Sequence, residues 1–308
     1  MSDNPLVSIV IINWNGIRFI DRCIKSVLSS TYKNIEIIVV DNASTDGSPE
    51  YVSKRYPNIR LIKNARNVGY ARACNIGIKY AKGDIIAILN NDVWVEPSWL
   101  EPLVKILSDP RIGVVGPVIV DPNNRIQNLG YLFHFSCYPI SVDVNSQDEK
   151  SELDYISGAA IIARKKTLIE IGGFDEKFFA FYEDADLCFR LKTKGYECCT
   201  CKDSKIYHMG SASWSKFGLW QFVTSENSRL RFIVKYFGLI RLLKSLLLYD
   251  IQYWVGRIID VTRGRTKSQS WGNTNSLLKT TLNILASRII LILSLPKILS
   301  KILRDKHV

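Results

Sequence analysis

Short apolar runs alternate with amphipathic segments over the first 120 residues. Residues 5–12 and 35–40 are nearly unbroken apolar runs rich in β-branched side chains, which is typical of buried strands in a largely parallel sheet. Between the two runs, apolar side chains recur at helical spacing at Phe19, Ile20, Cys23, Ile24, Val27 and Leu28. The segment therefore predicts a β-α-β unit.

The same alternation continues to residue 120. It predicts strands near 59–62, 85–89 and 114–120, and helices near 70–81 and 99–107. Such a pattern indicates an α/β fold, with a sheet flanked by helices and a ligand at the carboxyl ends of the strands. Residues 121–155 do not show this alternation, and they predict a long surface segment that contains hairpins. A strand is predicted next at 156–163, and an acidic segment follows at 182–190.

Polar residues follow the first two predicted strands. Asn13, Trp14 and Asn15 come after the first strand, and Asp41 and Asn42 come after the second. Carboxamides and carboxylates at neighbouring strand ends can bind the edge of a nucleobase and its ribose, and an indole can stack on the base. Asn, Asp, Ser and Gly are also ordinary turn formers, so each turn taken alone leaves both interpretations open.

A third cluster opens the predicted helix at 70–81 with small and polar residues, among them Asn67, Gly69 and Asn75. A helix N-terminus favours an anion such as a diphosphate. The cluster lacks the G-x-G-x-x-G spacing of dinucleotide-binding enzymes, so it is weak as an isolated signal.

The strand at 85–89 is followed by Asn90, Asn91 and Asp92. Mg²⁺ and Mn²⁺ prefer oxygen ligands, and Mg²⁺ is commonly held by one or two carboxylates together with substrate phosphates. Asp92 suits that role. A cap of the turn before Pro97 is the alternative interpretation.

Aromatic residues at 178–182 run directly into the carboxylates Glu183, Asp184 and Asp186. Apolar surroundings raise the pKa of a carboxyl group, whereas a helix N-terminus lowers it, so this placement can tune a general base. Favourable capping of a helix is the alternative, although three acids in four residues exceed what capping requires. His208 follows a further predicted strand, where a single histidine is more often structural than a ligand.

The excess positive charge lies in the last third of the chain. Residues 1–213 carry 25 basic and 25 acidic side chains, whereas residues 214–308 carry 16 and 4. The seven cysteines are an odd set with no signal-peptide pattern before them, which favours reduced thiols in a cytosol.

Two stretches of this basic tail, 239–259 and 282–303, carry an apolar stripe at helical spacing beside Lys and Arg. Neither offers about 20 uninterrupted apolar residues, as a spanning helix would. Both are predicted to lie on an anionic membrane surface. Packing on the body or on a second subunit of a homo-oligomer is the alternative, and the many Leu and Ile argue against nucleic acid.

Several sequence segments together resemble the family-2 glycosyltransferases of the GT-A fold. They are VSIVIINWNG, IEIIVVDNASTDGS, NVGYARACNIG, ILNNDV, SGAA, GGFDEKFF, FYEDADL and a final H-x-G-x-S, within residues 5–215. Their order and spacing are most similar to rhamnosyltransferase-type members that build surface polysaccharides. The resemblance implies a Rossmann-like, mixed and mostly parallel sheet flanked by helices, with a C-terminal amphipathic helical tail.

The resemblance also implies a domain organisation. Residues 1–215 would form the GT-A domain, with a nucleotide-binding half at 1–120 and an acceptor and catalytic half at 121–215. Residues 216–308 would form the basic helical region for membrane association or oligomerisation.

By the same resemblance, the donor site comprises Asn13, Trp14, Asn15, Asp41, Asn42, Asn67, Gly69, Asn75, Asn90 and Asn91. Asp92 is similar to the last acid of the D-x-D metal motif, and His208 to a histidine that joins the metal or diphosphate site. Asn90 stands at the first position of that motif, which departs from its strict form. Asp184 resembles the catalytic base, with Glu183 beside it. The acceptor residues would be Gly158, Ala159, Phe181 and Tyr182.

The implied function is inverting sugar transfer from a nucleotide diphosphate to a hydroxyl of a lipid-linked saccharide, with Mg²⁺ or Mn²⁺. Rhamnose is the sugar that the resemblance suggests, and uridine-diphosphate hexoses stay open. The implied location is the cytoplasm, peripheral on the inner face of the cell membrane. Transfer onto a polyprenyl phosphate and a non-catalytic sugar-nucleotide-binding protein are the alternatives.

Overall fold

The computed structural model describes residues 4–142, 153–209 and 218–249, and the single positions Val255, Ile259, Pro296 and Ser300. The chain divides into two compact units. The first comprises Met1–Leu132, Ile140–Phe179 and Glu183–Met209, and the second comprises Phe133–Pro139, Ala180–Tyr182 and Gly210–Val308.

The strands are numbered in chain order. They are β1 Val7–Asn13, β2 Ile35–Asp41, β3 Arg60–Lys63, β4 Ile85–Asn90, β5 Val93–Val95, β6 Ile112–Val120, β7 Ile126–Asn128, β8 Tyr131–Phe133, β9 Pro139–Ser141, β10 Ala160–Arg164 and β11 Glu197–His208. Among the described residues, nine strands form one sheet in the order β3-β2-β1-β4-β10-β6-β11-β5, with β7 beside β6. Strands β8 and β9 pair separately.

The sheet is mixed. Strands β3, β2, β1 and β4 are parallel neighbours, and β11 is parallel to β6. Strand β10 runs antiparallel between β4 and β6, and β5 runs antiparallel to β11. The parallel half therefore directs the ends of β1, β2 and β4 to one edge.

The helices of the first unit cover this sheet. They are α1 Ile20–Leu28, α2 Ser48–Arg55, α3 Tyr70–Tyr80, α4 Leu100–Ile106, α5 Lys165–Glu170 and α6 Glu183–Thr193. All seven residues of β1 and all nine of β6 are buried. Burial of both strand faces explains why these segments lack apolar and polar alternation in the sequence.

The α/β fold class predicted from the sequence is confirmed, and most predicted elements of the first 120 residues are present with shifted ends. Helix α2 and strand β5 were not predicted. The strand predicted at 156–163 is wrong at its start, because the chain turns at 157–159 and β10 begins at Ala160. The NH group of Gly158 in this turn donates to the Asp184 carboxylate at 2.8 Å, so it is not part of a β-ladder.

The second unit contains helix α7, Gly218–Lys244, which continues as a π-helical turn at Ser245–Tyr249. Helix α7 is interrupted at Gly238, where φ is 76°. Inside the unit, the buried Arg229 pairs with Glu226 at 2.9 Å and donates to the carbonyl of Ser136 at 2.7 Å. The ion pair lies within α7 and orders the Arg229 side chain, whose hydrogen bond to Ser136 ties α7 to the segment at 133–139.

The tail predictions are met only in part. The helix predicted to begin at residue 239 does begin there, because the non-helical backbone at Gly238 separates it from the preceding helical segment, and it is described continuously as far as residue 249. The predicted helix at 282–303 lies outside the described residues, apart from two single positions. No helix in the described ranges combines the length and apolar character needed to cross a bilayer.

Candidate active site

Asn13 and Asp41 meet at the carboxyl end of the parallel strands, where they are register partners of β1 and β2. The amide nitrogen of Asn13 donates to Asp41 Oδ1 and to Ser48 Oγ, both at 2.8 Å. The amide oxygen of Asn13 accepts from Asn91 Nδ2 at 2.9 Å. Three predicted donor residues from β1, β2 and the turn after β4 therefore form one buried network.

The exposed Asn15 lies at the rim of this network, beside the partly exposed Trp14. The backbone NH of Asn15 donates to Ser44 Oγ at 2.9 Å, and its side-chain oxygen accepts from the backbone NH of Thr45 at 2.9 Å. Asn15 has a positive φ of 50°, a conformation that Asn tolerates better than most residues. These bonds fix the turn after β1 against the turn after β2.

Asn42 connects the end of β2 to the loop before α3. Its amide nitrogen donates to Asn67 Oδ1 at 2.8 Å, and its amide oxygen accepts from the backbone NH of Val68 at 3.0 Å. Gly69 has a φ of 88°, and a Cβ atom there would lie 2.6 Å from the carbonyl oxygen of Phe179. Only glycine combines that backbone angle with so close an approach.

Asn75 is not part of the donor-side network. Its amide nitrogen donates to the carbonyl of Phe174 at 2.8 Å, and its amide oxygen accepts from the NH of Phe174 at 2.8 Å. Both ends of the amide are therefore used to hold the segment around Phe174 against α3.

Asp92 and His208 lie next to each other because β5 and β11 are antiparallel neighbours, with His208 as the partner of Val93. The distance from Asp92 Oδ1 to His208 Nε2 is 3.3 Å. His208 is the last residue of a 12-residue strand, longer than the short strand expected before it. The structure thus brings the two predicted metal ligands together.

The residues at the end of β4 fit a hard divalent cation. Asn90 Oδ1 is buried and accepts no hydrogen bond within the described part of the chain, and Asp92 supplies a carboxylate two residues further along the chain. The described residues contain no group of three or more His, Cys, Asp or Glu side chains that could hold a metal ion. An ion here would therefore need phosphate or water oxygens to complete its ligands, as Mg²⁺ sites commonly do.

Asp184 lies in the first turn of α6. Its Oδ2 atom accepts from the NH of Gly158 and its Oδ1 atom from the NH of Ala185, both at 2.8 Å. Burial raises the pKa of Asp184 to about 6, although these two backbone donors lower it. A carboxyl group with such a pKa is suited to proton transfer near neutral pH.

Glu183 is buried next to Asp184, and its Oε2 atom has no hydrogen-bond partner among the described residues. Burial raises the pKa of Glu183 well above its usual value, and the neighbouring Asp184 carboxylate raises it further. This shift favours the neutral form of Glu183, so Asp184 is the better candidate to accept a proton.

The segment Gly158–Ala159 links the two clusters. The carbonyl of Ala159 accepts from the NH of Asn90 at 3.1 Å, and the preceding NH of Gly158 donates to Asp184. The hydroxyl of Tyr70 donates to the carbonyl of Gly158 at 2.8 Å. Tyr70 is therefore a positioning residue, and its role is not visible in the sequence because nothing there shows what its hydroxyl contacts.

Phe181 and Tyr182, the other predicted acceptor residues, belong to the second unit. Both have a φ of 66°, which is uncommon for aromatic residues. The Tyr182 hydroxyl donates to the carbonyl of Cys137 at 2.7 Å, and its ring stacks on Phe133 at 6.1 Å. A role of either residue in acceptor binding stays a prediction.

A mixed sheet of this order, with polar clusters at the ends of β1, β2 and β4, defines a GT-A fold. The chain belongs to glycosyl transferase family 2, because the sequence profile of that family matches residues 8–169. The family resemblance recognised in the sequence is confirmed.

Two relatives whose names describe a function are consistent with membership of this glycosyltransferase family. The chain is 25% identical over 232 residues to the N-acetylglucosaminyl-diphospho-decaprenol L-rhamnosyltransferase of Mycobacterium tuberculosis, covering 66% of this chain and 76% of that protein. It is 27% identical over 224 residues to the O-antigen biosynthesis protein RfbC of Myxococcus xanthus, covering 68% of this chain but only 18% of RfbC.

A solved structure with the same fold is the mannosyltransferase PcManGT from Pyrobaculum calidifontis, in complex with GDP-Man and Mn²⁺. The TM-score is 0.58 at 16% identity, and the match covers 94% of this chain and 81% of PcManGT.

Proposed function

We propose that this glycosyltransferase moves one sugar from a nucleotide diphosphate to a hydroxyl of a lipid-linked saccharide, with inversion at the anomeric carbon. One observation carries the proposal. The candidate base Asp184 and the candidate metal-binding end of β4 are hydrogen-bonded to two consecutive residues: Asp184 accepts from the NH of Gly158, and the NH of Asn90 donates to the carbonyl of Ala159. A proton acceptor is thereby fixed relative to the strand end that would hold the leaving group.

In the proposed reaction, Asp184 takes the proton of the acceptor hydroxyl while that oxygen attacks the anomeric carbon. The bond between this carbon and the diphosphate oxygen breaks in the same displacement, so the configuration inverts. The backbone NH groups of Gly158 and Ala185 orient the Asp184 carboxylate for this step. No covalent sugar–enzyme intermediate is needed, unlike in retaining glycosidases.

Asp92 and His208, with the amide oxygen of Asn90, would hold Mg²⁺ or Mn²⁺. The ion would stabilise negative charge on the departing diphosphate. The Mn²⁺ in the PcManGT complex supports divalent metal use. Asn90 supplies a neutral oxygen where a strict D-x-D motif has a carboxylate, so Asp92 is the one anionic protein ligand in this proposal.

The network of Asn13, Asp41 and Asn91 would bind the nucleoside end of the donor, with Trp14 and Asn15 at its rim. Rhamnose is supported as the sugar by the name of the Mycobacterium tuberculosis relative, which also names a lipid diphosphate acceptor. Both substrates are proposals for this chain.

A panel of nucleotide sugars, offered with and without Mn²⁺ and a lipid-linked saccharide, tests the function. We expect release of nucleoside diphosphate that needs both the ion and the acceptor, and a product of inverted anomeric configuration by NMR. A retained configuration would contradict the single displacement. Binding of a donor without turnover on any acceptor would favour the non-catalytic alternative.

A polyprenyl phosphate acceptor is the competing substrate. Because a phosphate oxygen needs little deprotonation, Asp184→Asn would then leave turnover nearly unchanged. Comparing this variant on a phosphate acceptor and on a saccharide acceptor separates the two.

The second unit would bind an anionic membrane surface through exposed side chains of α7 and of the π-helical turn that follows it. Ile240, Leu243 and Leu247 are exposed by 74%, 58% and 67%, and the exposed Lys235 and Lys244 lie on the same stretch. Buried apolar area and attraction of basic residues to anionic lipid would act together.

Sedimentation with phosphatidylglycerol vesicles tests membrane binding. We expect the wild type to co-sediment and the Ile240→Glu/Leu243→Glu variant to stay in solution, while both bind Mn²⁺ and nucleoside diphosphate alike. Equal sedimentation of the two proteins would overturn the proposal. A change in oligomeric mass of the variant would favour a subunit interface instead.

A further inference from the structure

Two arginines that have no role in the proposed reaction line a small pocket beside Asp92. Its volume is about 170 Å³, far larger than the space for one water molecule. Arg18, Arg22, Asp92, Trp94 and Met209 are among the residues that line it. Arg18 lies in the turn before α1 and Arg22 in the first turn of that helix. Asp92 lies between β4 and β5, Trp94 is the middle residue of β5, and Met209 directly follows β11.

Arg22 is held in place by stacking. Its guanidinium carbon lies 3.5 Å from the centre of the Trp94 ring, and Trp94 stacks in turn on Tyr207 at 5.3 Å with an interplanar angle of 1°. A guanidinium group that lies on an aromatic face keeps the NH groups on its edge available as donors. Because the group is already ordered, it loses less conformational freedom when an anion binds.

Neither arginine has an anionic partner within the described part of the chain. The carboxylate nearest in sequence, Asp21, accepts instead from Lys25, Tyr51 and Tyr56, each at 2.7 Å. Asp92 lines the same pocket, and its Oδ1 atom lies 3.3 Å from His208 Nε2. Two guanidinium groups thus line one pocket, and the forked donor geometry of arginine matches phosphate oxygens.

We propose that this pocket is a specificity site that binds a substrate diphosphate through Arg18 and Arg22. This inference rests on the proposed function. The chemistry fits two sources, because the donor and a lipid-linked acceptor of the proposed kind both carry a diphosphate. The pocket includes Asp92, so the bound group lies next to the candidate metal site in either case. The two sources are separated by the order in which probes are added.

The first arm uses UDP, GDP and thymidine diphosphate, with the matching nucleosides as controls for the base and ribose. Affinities are measured by calorimetry in Mn²⁺ for the full chain, Arg18→Gln, Arg22→Gln and the double variant. If the donor occupies the pocket, the double variant binds the preferred nucleoside diphosphate at least about tenfold more weakly, which is about 1.4 kcal/mol. Its affinity for the nucleoside stays the same.

The second arm adds farnesyl diphosphate to protein that is saturated with nucleoside diphosphate. If the acceptor diphosphate occupies the pocket, the double variant loses at least about tenfold in affinity for farnesyl diphosphate only. Arg22→Lys should fall between wild type and Arg22→Gln, since it keeps the charge but loses the fork and the stacking surface.

Arg55→Gln is the matched control. It removes the same charge from the end of α2, where Arg55 lies 5.8 Å over the Tyr56 ring. Circular dichroism melts check that each variant folds. Diphosphate affinities of the double variant equal to those of Arg55→Gln in both arms would overturn the inference, whether or not the enzyme transfers sugar. Weakened diphosphate binding in a protein that transfers no sugar would overturn the proposed function alone.

Discussion

Two sets of polar groups in the first unit differ in how completely the fold satisfies their hydrogen bonds. The amides of the buried Asn42 and the part-buried Asn75, both predicted donor residues, have hydrogen bonds at both ends. Asn90 Oδ1, at the end of β4, and Glu183 Oε2, at the start of α6, are buried without a partner among the described residues. All four residues looked alike as motif members in the sequence.

This difference distinguishes residues that stabilise the fold from residues whose polar atoms are available to a substrate or ion. A buried polar atom left without a partner costs about 1–3 kcal/mol, so such atoms are rare unless something else supplies the partner. We infer that a bound substrate or ion does so at Asn90 and beside Asp184. The satisfied amides of Asn42 and Asn75 instead hold the loops that shape the site.

The largest effect is expected for Asp184→Asn. An amide cannot accept the acceptor proton, so turnover on a saccharide should fall by about 10²–10⁴. Rates with saturating donor and acceptor measure this loss, and calorimetry should show unchanged binding of nucleoside diphosphate. Glu50→Gln, at an exposed acid paired with Lys63, is the control. Near-normal turnover of Asp184→Asn would remove Asp184 as the base.

Asp92→Asn comes next in size. Loss of the one anionic protein ligand should weaken Mn²⁺ binding by at least about 10–100-fold, because even residues that only support ligands have effects of that order. Titration of Mn²⁺ followed by electron paramagnetic resonance measures the affinity. Glu96→Gln, a partly exposed acid four positions further on that pairs with Lys205, should bind Mn²⁺ like the wild type, and equal affinities of the two variants would contradict the site.

The pH dependence gives a smaller and graded effect. Because the base must be unprotonated, kcat/KM should rise with pH and level off above about 6, the pKa to which burial raises Asp184. Below that value the rate should fall about tenfold per pH unit. Initial rates between pH 4.5 and 8, with folding followed by circular dichroism, provide the measurement. A plateau reaching down to pH 4.5 would show that Asp184 titrates at its ordinary pKa.

The smallest catalytic effect is expected for the satisfied amides. Asn75→Ala should lower the free energy of unfolding by about 1–3 kcal/mol, since it leaves the NH and carbonyl of Phe174 without their partner. Turnover at a temperature where the variant is folded should change by less than about twofold. Urea denaturation and steady-state kinetics test the two halves of this prediction. A large loss of turnover without loss of stability would indicate that Asn75 contributes to the donor site.

Much of the first unit could be predicted from local pattern. The apolar runs that became β1, β2, β4 and β6 are buried on both faces over most of their length, so an unbroken run of apolar residues is itself the signal. Strand β5 was missed because three residues between two polar turns are too short to show a period. The start of β10 was misplaced because the Asp184 carboxylate, 26 residues further on, binds the backbone of Gly158.

The sequence by itself determined the α/β class, the family and the order of the polar clusters, because periodicity and motif spacing are properties of neighbouring residues. Only the tertiary structure decided which of those polar groups have their hydrogen bonds satisfied within the fold. It paired His208 with Asp92 and Gly158 with Asp184, and it placed Arg18 and Arg22 in one pocket with Asp92. These pairings join residues far apart in the chain, and hydrogen bonding and burial depend on that proximity in space.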